Sequence, residues 1–425
     1  MIYRQFMESL EKKLNNVIGE IINYLPVLGC LSVLSTDIFY ISNTRDLWYV
    51  IPITLLIEFI YNKRWKTFTY NKMHIYYGVV FLFFLLFFLY YPFEQHTLYF
   101  DYLLKTRIPL SGLALCGILG FTNYHKLSYY LNAIIVVALF SVFYLVVLKI
   151  GFFEFLNSGN RAELFTQTRI SFVNHHMKYN IYLNLALVSI WYIVSNKYKS
   201  LSKIKWIFYV CSFLLIFSIL HISEGRNGYL TSLFIVGCIS LVETWKRSKF
   251  WAIFVGGIVI ILIFFKISSH GRLSENDLKE NPRIFLWEIA WETIKENPLL
   301  GRGASQAQYV FTEKRLAHPL NETYQYFYSY LGDYMHADNQ YFQTTMEFGF
   351  MGLILLLIIY FYPFFLADKK HKVLAFLMIF VIVFQSFFTV VLTDEYASLV
   401  MIMSYMILLV KDDVVIQRSN DITTS

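Results

Sequence analysis

Charge is scarce in this sequence. Asp, Glu, Lys and Arg make up 15% of its 425 residues, against 57% hydrophobic and 19% aromatic. That balance excludes an ordinary soluble domain, whose surface needs more charge to stay in water. Cysteine is rarer still: Cys30, Cys116, Cys211 and Cys238 each sit in an apolar run, none at the spacing of a metal ligand. They read as small core residues. No HExxH or comparable motif occurs, so no metal is expected. Internal repeats, low-complexity tracts and Gly/Ser linkers are missing too, and residues 1–425 read as a single integral membrane domain. The N-terminal stretch MIYRQFMESLEKKLNN is polar and amphipathic and lacks a small-residue cleavage site. No removable signal peptide is therefore expected. The net charge of +7 would hint at nucleic acid in a soluble protein; here it reflects Lys and Arg gathered in loops, and no nucleic-acid partner is expected.

What is abundant is apolar sequence in runs long enough to cross a bilayer. The expected fold class is therefore an all-α polytopic membrane protein with about twelve transmembrane helices. The spans lie near 17–35, 46–61, 74–91, 108–121, 127–150, 178–195, 204–222, 226–242, 250–266, 341–366, 372–391 and 395–411. Basic clusters fall at Lys63, Arg64, Lys66 and Lys72; at Lys197, Lys199, Lys203 and Lys205; at Lys246, Arg247 and Lys249; and at Lys369, Lys370 and Lys372. In that count every cluster lies on one side. The positive-inside rule makes that side the cytoplasm and places both termini there. The outer face then receives loops 36–45, 92–107, 151–177, 223–225, 267–340 and 392–394. The largest, 267–340, is expected to carry amphipathic helices and to cap the active site.

Polar residues collect on that outer face. Loop 151–177 contains Arg161, Arg169, Asn174, His175 and His176. The turn Ser223–Gly228 sets Arg226 among glycines, where backbone can approach a ligand closely and a planar guanidinium suits bidentate phosphate binding. The bland reading of such an arginine is snorkelling to lipid headgroups. Farther on, Asn281-Pro282 opens a helix, and Ile284, Trp287, Trp291 and Ile294 recur at the spacing of one helix face. Asn297-Pro298 closes it. Arg283 stands at its start, and Gly301 and Gly303 bracket Arg302 in a tight turn. Three or four arginines facing one cavity would bind a pyrophosphate. His336 lies just before the next apolar run and can act as a general base or serve as a hydrogen-bonded interface histidine. Asp338 can accept a proton or orient the base, and Asn339 can bind sugar hydroxyls. The tyrosines at 324, 326, 328, 330 and 334, Tyr330 and Tyr334 among them, read either as a membrane-interface belt or as a stacking surface for sugar rings. Asp394-Glu395, in an outer turn, either joins the site or is solvated.

Three motifs give this chain a resemblance. The turn ISEGRNGYL, the segment RIFLWEIAWETIKENPLLGRG and the run HADNQYFQTTMEFGFMG resemble, in order and spacing, the O-antigen ligase / O-antigen polymerase superfamily of bacterial membrane glycosyltransferases. RISFVNHHMKYN is a weaker fourth echo, and with the span count the likeness extends over nearly the whole chain. It implies a donor glycan on undecaprenyl pyrophosphate and an acceptor hydroxyl outside the inner membrane, with no cofactor. Arg226, Arg283, Arg302 and Arg169 would be the donor-side residues. His336 or Asp338 would take the proton, with Asn339, Tyr330, Tyr334 and His176 on the acceptor side. Many members place histidine directly before the asparagine, where this chain has Asp338.

That departure favours a polymerase, which joins lipid-linked repeats, over a ligase, which transfers glycan to lipid A-core. A chain-length regulator and a flippase would be the expected protein partners. A lipid-linked glycan transporter is the alternative of a different class. Transporters carry repeats and ionisable groups near the midplane, whereas the span centres here are nearly free of charge.

Overall fold

A computed structural model describes residues 2–39, 50–66, 72–90, 127–172, 176–197, 200–223, 226–268, 282–317 and 337–391. Every regular element among them is helical. In chain order these are α1 (Ile2–Phe39), α2 (Val50–Tyr61), α3 (Lys72–Leu89) and α4 (Leu127–Phe143), which runs on as a π-helix to Ile150. Then come α5 (Phe152–Asn157), α6 (Arg161–Phe172), α7 (His176–Lys197), α8 (Lys203–Ile222), α9 (Arg226–Trp245) and α10 (Lys249–Ser268). The last four are α11 (Pro282–Glu296), α12 (Ala304–Ala317), α13 (Gln340–Leu366) and α14 (Lys372–Gln385).

Four described segments are long and apolar enough to cross a membrane: Leu127–Ile150, Lys203–Ile222, Asn227–Trp245 and Gln340–Leu366. His74–Phe88 and Lys249–Ile258 are apolar but shorter. Helices also occupy the other expected spans, except 108–121 and 395–411, which lie outside the described residues with Asp394 and Glu395. The expected span 372–391 is helical only to Gln385. There the backbone turns away, because the Ser386 carbonyl accepts the Gln340 N–H at 2.8 Å and docks the end of α14 onto the head of α13. Loop 151–177 contains two short helices, α5 and α6.

Helix α7 is central. Residues 181–190 are all buried, and the helix packs against α4, α8, α9 and α14. Apolar contact adds little driving force inside a bilayer, so helices there are held by close packing and interhelical hydrogen bonds. Both occur where α7 meets α9. A Cβ on Gly228 would stand 2.4 Å from the Asn180 side chain, so only glycine permits the approach. Asn184 Nδ2 donates to the Gly228 carbonyl at 3.1 Å, and Ser223 Oγ donates to Asn180 Oδ1 at 3.1 Å.

The two ends of the bundle differ. At one, Glu243 accepts from Trp191 Nε1, Ser195 Oγ and Lys246 Nζ, and Tyr192 hydrogen-bonds His371. Tyr76 of α3 stacks on Tyr362 of α13. These contacts gather the basic loops after α2, α7, α9 and α13 at the same end, as the charge pattern requires. The arginine-bearing turns lie at the other.

Helices α11 and α12 form a small unit with an apolar core of its own. Phe285, Leu286, Ile289, Ala290 and Ile294 meet Ala307 and Phe311, and Ala337 and Met346 close the cluster. Of the face that the spacing defines, Ile294 is buried and Trp287 packs against the cluster, 6.0 Å from Phe342, while Trp291 is 45% exposed. The buried strip is rotated because α11 lies on both α12 and α13, and so buries the face centred on Leu286, Ile289, Ala290 and Thr293.

Candidate active site

The site begins at a break in α13. Gly349 has φ 63 inside that helix, which leaves backbone groups on both sides without helical partners. The turn after α11 supplies them. Arg302 N–H donates to the Met346 carbonyl at 3.1 Å, and Gly303 N–H to that of Glu347 at 2.8 Å. In return, Phe350 N–H donates to the Pro298 carbonyl at 2.8 Å and Met351 N–H to Leu299 at 3.3 Å. Two glycines make this possible. A Cβ on Gly301, at φ 72, would come within 2.5 Å of the Glu347 carbonyl, and one on Gly349 within 2.2 Å of the Leu299 oxygen. Tyr90, just past the end of α3, adds a hydrogen bond to the Leu300 carbonyl. This clasp fixes α11 relative to the head of α13.

At that head, Asn339 is the N-cap. Its Oδ1 accepts from Tyr341 N at 2.9 Å and Phe342 N at 3.2 Å. Capping is the geometry seen for a residue also expected to bind sugar. Asp338, one residue earlier, has φ 49. Arg283, the second residue of α11, brings its Nε to 3.9 Å from Asp338 Oδ2. The guanidinium also lies over the Phe388 ring, 5.8 Å from its centroid. The Arg283 and Asp338 side chains are 31% and 42% exposed, so both are reachable from solvent. Crowding by protein raises the Asp338 carboxyl above its ordinary 3.8, and Arg283 opposes the rise.

The other donor-side arginines are placed differently. Arg302 is engaged with Glu296, which also receives Lys314 Nζ at 2.6 Å. The Lys314 hydrogen bond, and after it Arg302, hold the Glu296 carboxyl below the ordinary range against its partial burial. Arg169 of α6 is 2% exposed and within electrostatic range of the Tyr179 hydroxyl near the start of α7. Arg226 is the first residue of α9 and His176 the first of α7; the side chains of both lie outside the described residues, as do His336, Tyr330 and Tyr334. Side-chain contacts nonetheless bring these elements to one end. Gly228, just inside α9, touches Asn180 of α7, and Thr231 accepts from Gln385 Nε2 at 3.1 Å. Gln385 is followed by the turn carrying Phe388 beneath Arg283.

The motif HADNQYFQTTMEFGFMG spans the buried polar residues of α13 but assigns them no role. Gln340, Gln343, Thr344 and Glu347 are each at most 1% exposed. The available signal was polar side chains recurring at helical spacing inside an apolar run. Among the described residues no three His, Cys, Asp or Glu side chains gather as a metal site would require.

A helical membrane protein whose arginine and carboxylate meet at the mouth of a broken span is the class this fold and site define. Residues 211–357 match the O-antigen ligase family. That stretch runs from the middle of α8 into α13 and contains all three principal motifs, with Arg226, Arg283, Arg302, His336, Asp338 and Asn339. The match bears out the resemblance over that stretch and points to membrane glycosyltransferase-type character. Arg169 and His176 precede the matched stretch. No curated protein matches the chain.

Proposed function

We propose that the protein is a surface-polysaccharide polymerase of the bacterial inner membrane, with its site on the periplasmic face and both termini cytoplasmic. One observation carries this reading. The residue set against Arg283 at the head of α13 is a carboxylate, Asp338, 3.9 Å away, where the resemblance leads one to expect histidine in many ligases. In the proposed reaction an acceptor sugar hydroxyl attacks the anomeric carbon of a glycan on undecaprenyl pyrophosphate. The new C–O bond forms as the bond to the pyrophosphate oxygen breaks, and the lipid pyrophosphate departs. The hydroxyl proton passes to Asp338, or to His336, and the anomeric configuration inverts.

Arg283 and Arg226 neutralise charge developing on the leaving pyrophosphate, where fixed cations are most effective. Arg169 and Arg302 are further donor-side groups, Arg302 being tied to Glu296. Asn339, Tyr330, Tyr334 and His176 are assigned to the acceptor side. The activated donor supplies the driving force, so the reaction as proposed needs neither nucleotide nor metal. A flippase and a chain-length regulator are the proposed partners.

The family description itself favours a second reading, ligase activity toward lipid A-core. Gel analysis of glycan from a strain lacking the gene separates the two. Surface molecules capped with a single repeat and no ladder are the outcome expected of a polymerase. Full-length polymer retained on the lipid carrier would identify a ligase instead. Arg226→Ala or Arg283→Ala, expressed at normal levels, should shorten and thin the ladder; an unaltered ladder in both would refute the assigned donor site.

A further inference from the structure

Helix α13 is otherwise apolar, yet Asn339, Gln343 and Glu347 recur every four residues from its cap inward. That spacing stacks them on one face. Each is at most 3% exposed. They are also connected. Gln343 Nε2 donates to Glu347 Oε1 at 2.7 Å, while Gln343 Oε1 accepts the Ala337 N–H at 3.3 Å. The orientation of the Gln343 amide follows from Ala337, because a backbone N–H can only donate.

A carboxylate buried in a membrane helix is costly and persists where its oxygens are hydrogen-bonded. Glu347 stands two residues before the break at Gly349, and its own carbonyl accepts from Gly303 of the clasp. The chain of hydrogen bonds thus starts at the clasp and ends on the Ala337 N–H, one residue before Asp338. Asp338, at φ 49, is in a left-handed conformation that few side chains other than Asn and Asp adopt without support. Asn339 secures the backbone that follows it, and Gln343 secures the backbone that precedes it.

We infer that Glu347, acting through Gln343, is a positioning residue that holds the Ala337–Asp338 turn so that the Asp338 carboxyl stays beside Arg283. Its part in turnover rests on the reading of Asp338 as a proton acceptor, whereas the strut itself is a property of the fold.

Glu347→Ala, Glu347→Gln and the wild-type protein in lipid nanodiscs provide the test. Hydrogen exchange across residues 337–343 reads the strut with no substrate present. Elongation of undecaprenyl-pyrophosphate-linked repeats, extracted from cells lacking the gene, reads turnover as a function of pH. Glu347→Ala is expected to speed exchange at the head of α13 and to slow elongation by up to about a hundredfold, the scale of a misplacement near 1 Å. It should also move the acidic limb of the pH profile upward as Asp338 leaves Arg283, the charged group set against it. Glu347→Gln retains an acceptor oxygen for Gln343 and should restore both. Loss of folded protein would lower the amplitude without moving the limb. Unchanged exchange in Glu347→Ala would overturn the strut, and faster exchange with an unmoved limb would overturn its positioning role. Should the wild-type protein fail to extend the repeats, the polymerase reading falls, and the exchange comparison still decides the strut.

Discussion

Asp338 sits between two opposed influences: crowding by protein raises its carboxyl, and Arg283 lowers it. A proton acceptor works only when ionised, so turnover should be present above the folded pKa of Asp338 and lost as pH falls through it. Because the net direction is upward from 3.8, the acidic limb should lie above that of an ordinary aspartate. Removing the lowering partner has a definite sign. Arg283→Ala should move the limb to still higher pH, in addition to weakening donor binding, whereas Arg283→Lys keeps the charge and most of the limb position. Asp338→Asn should cost about 10²–10⁴-fold in rate, the usual contribution of a general base. A pH–rate series of the four proteins measures all of this; a limb that ignores Arg283→Ala would assign the base to another residue.

At the scale of elements, the clasp between the α11–α12 turn and the break in α13 sets where Arg283 and Asp338 meet. Gly349 combines φ 63 with a backbone oxygen 2.2 Å from where a Cβ would stand. Gly349→Ala should therefore destabilise the protein by about 2–3 kcal/mol, in the range of strained backbone positions, and lower its thermal midpoint in detergent. Gly78→Ala in α3, where a Cβ would meet nothing within 4 Å, is the matched control and should be neutral. Much of this unit was legible beforehand. Asn281-Pro282 and Asn297-Pro298 bound α11 because capping and proline sterics act locally, and the Gly-Arg-Gly turn announced a conformation that glycine allows. The clasp was not legible, because the sequence at Gly349 does not reveal that Pro298 and Leu299 carbonyls will accept its neighbours' N–H groups. The full facing of α11 was legible only in part: the spacing found the face with Ile294 buried and Trp287 at its edge, and contact with two helices at once also buried Leu286, Ile289 and Ala290.

Across the whole molecule, what sequence could convey was polarity between the two ends. Basic clusters obey an electrostatic rule that operates during insertion and needs no tertiary contact. The contacts among Tyr192 and His371, and among Trp191, Ser195 and Glu243, draw those clusters to one end. The meeting of Arg283 with Asp338 could not be read in the same way, since it depends on packing between distant segments. The polarity also decides whether the proposed chemistry is possible, for a pyrophosphate-linked glycan presented outside the membrane can be used only by a site that faces outward. Ser200 in the α7–α8 turn and Gly159 between α5 and α6 are both exposed and belong to opposite ends. With Cys30, Cys116, Cys211 and Cys238 replaced, Gly159→Cys should react in intact cells with a small membrane-impermeant maleimide that crosses the outer membrane. Ser200→Cys should react only after the inner membrane is opened. The reverse pattern would put Asp338 and Arg283 in the cytoplasm, away from any periplasmic acceptor, and would leave the family likeness standing while removing the proposed reaction.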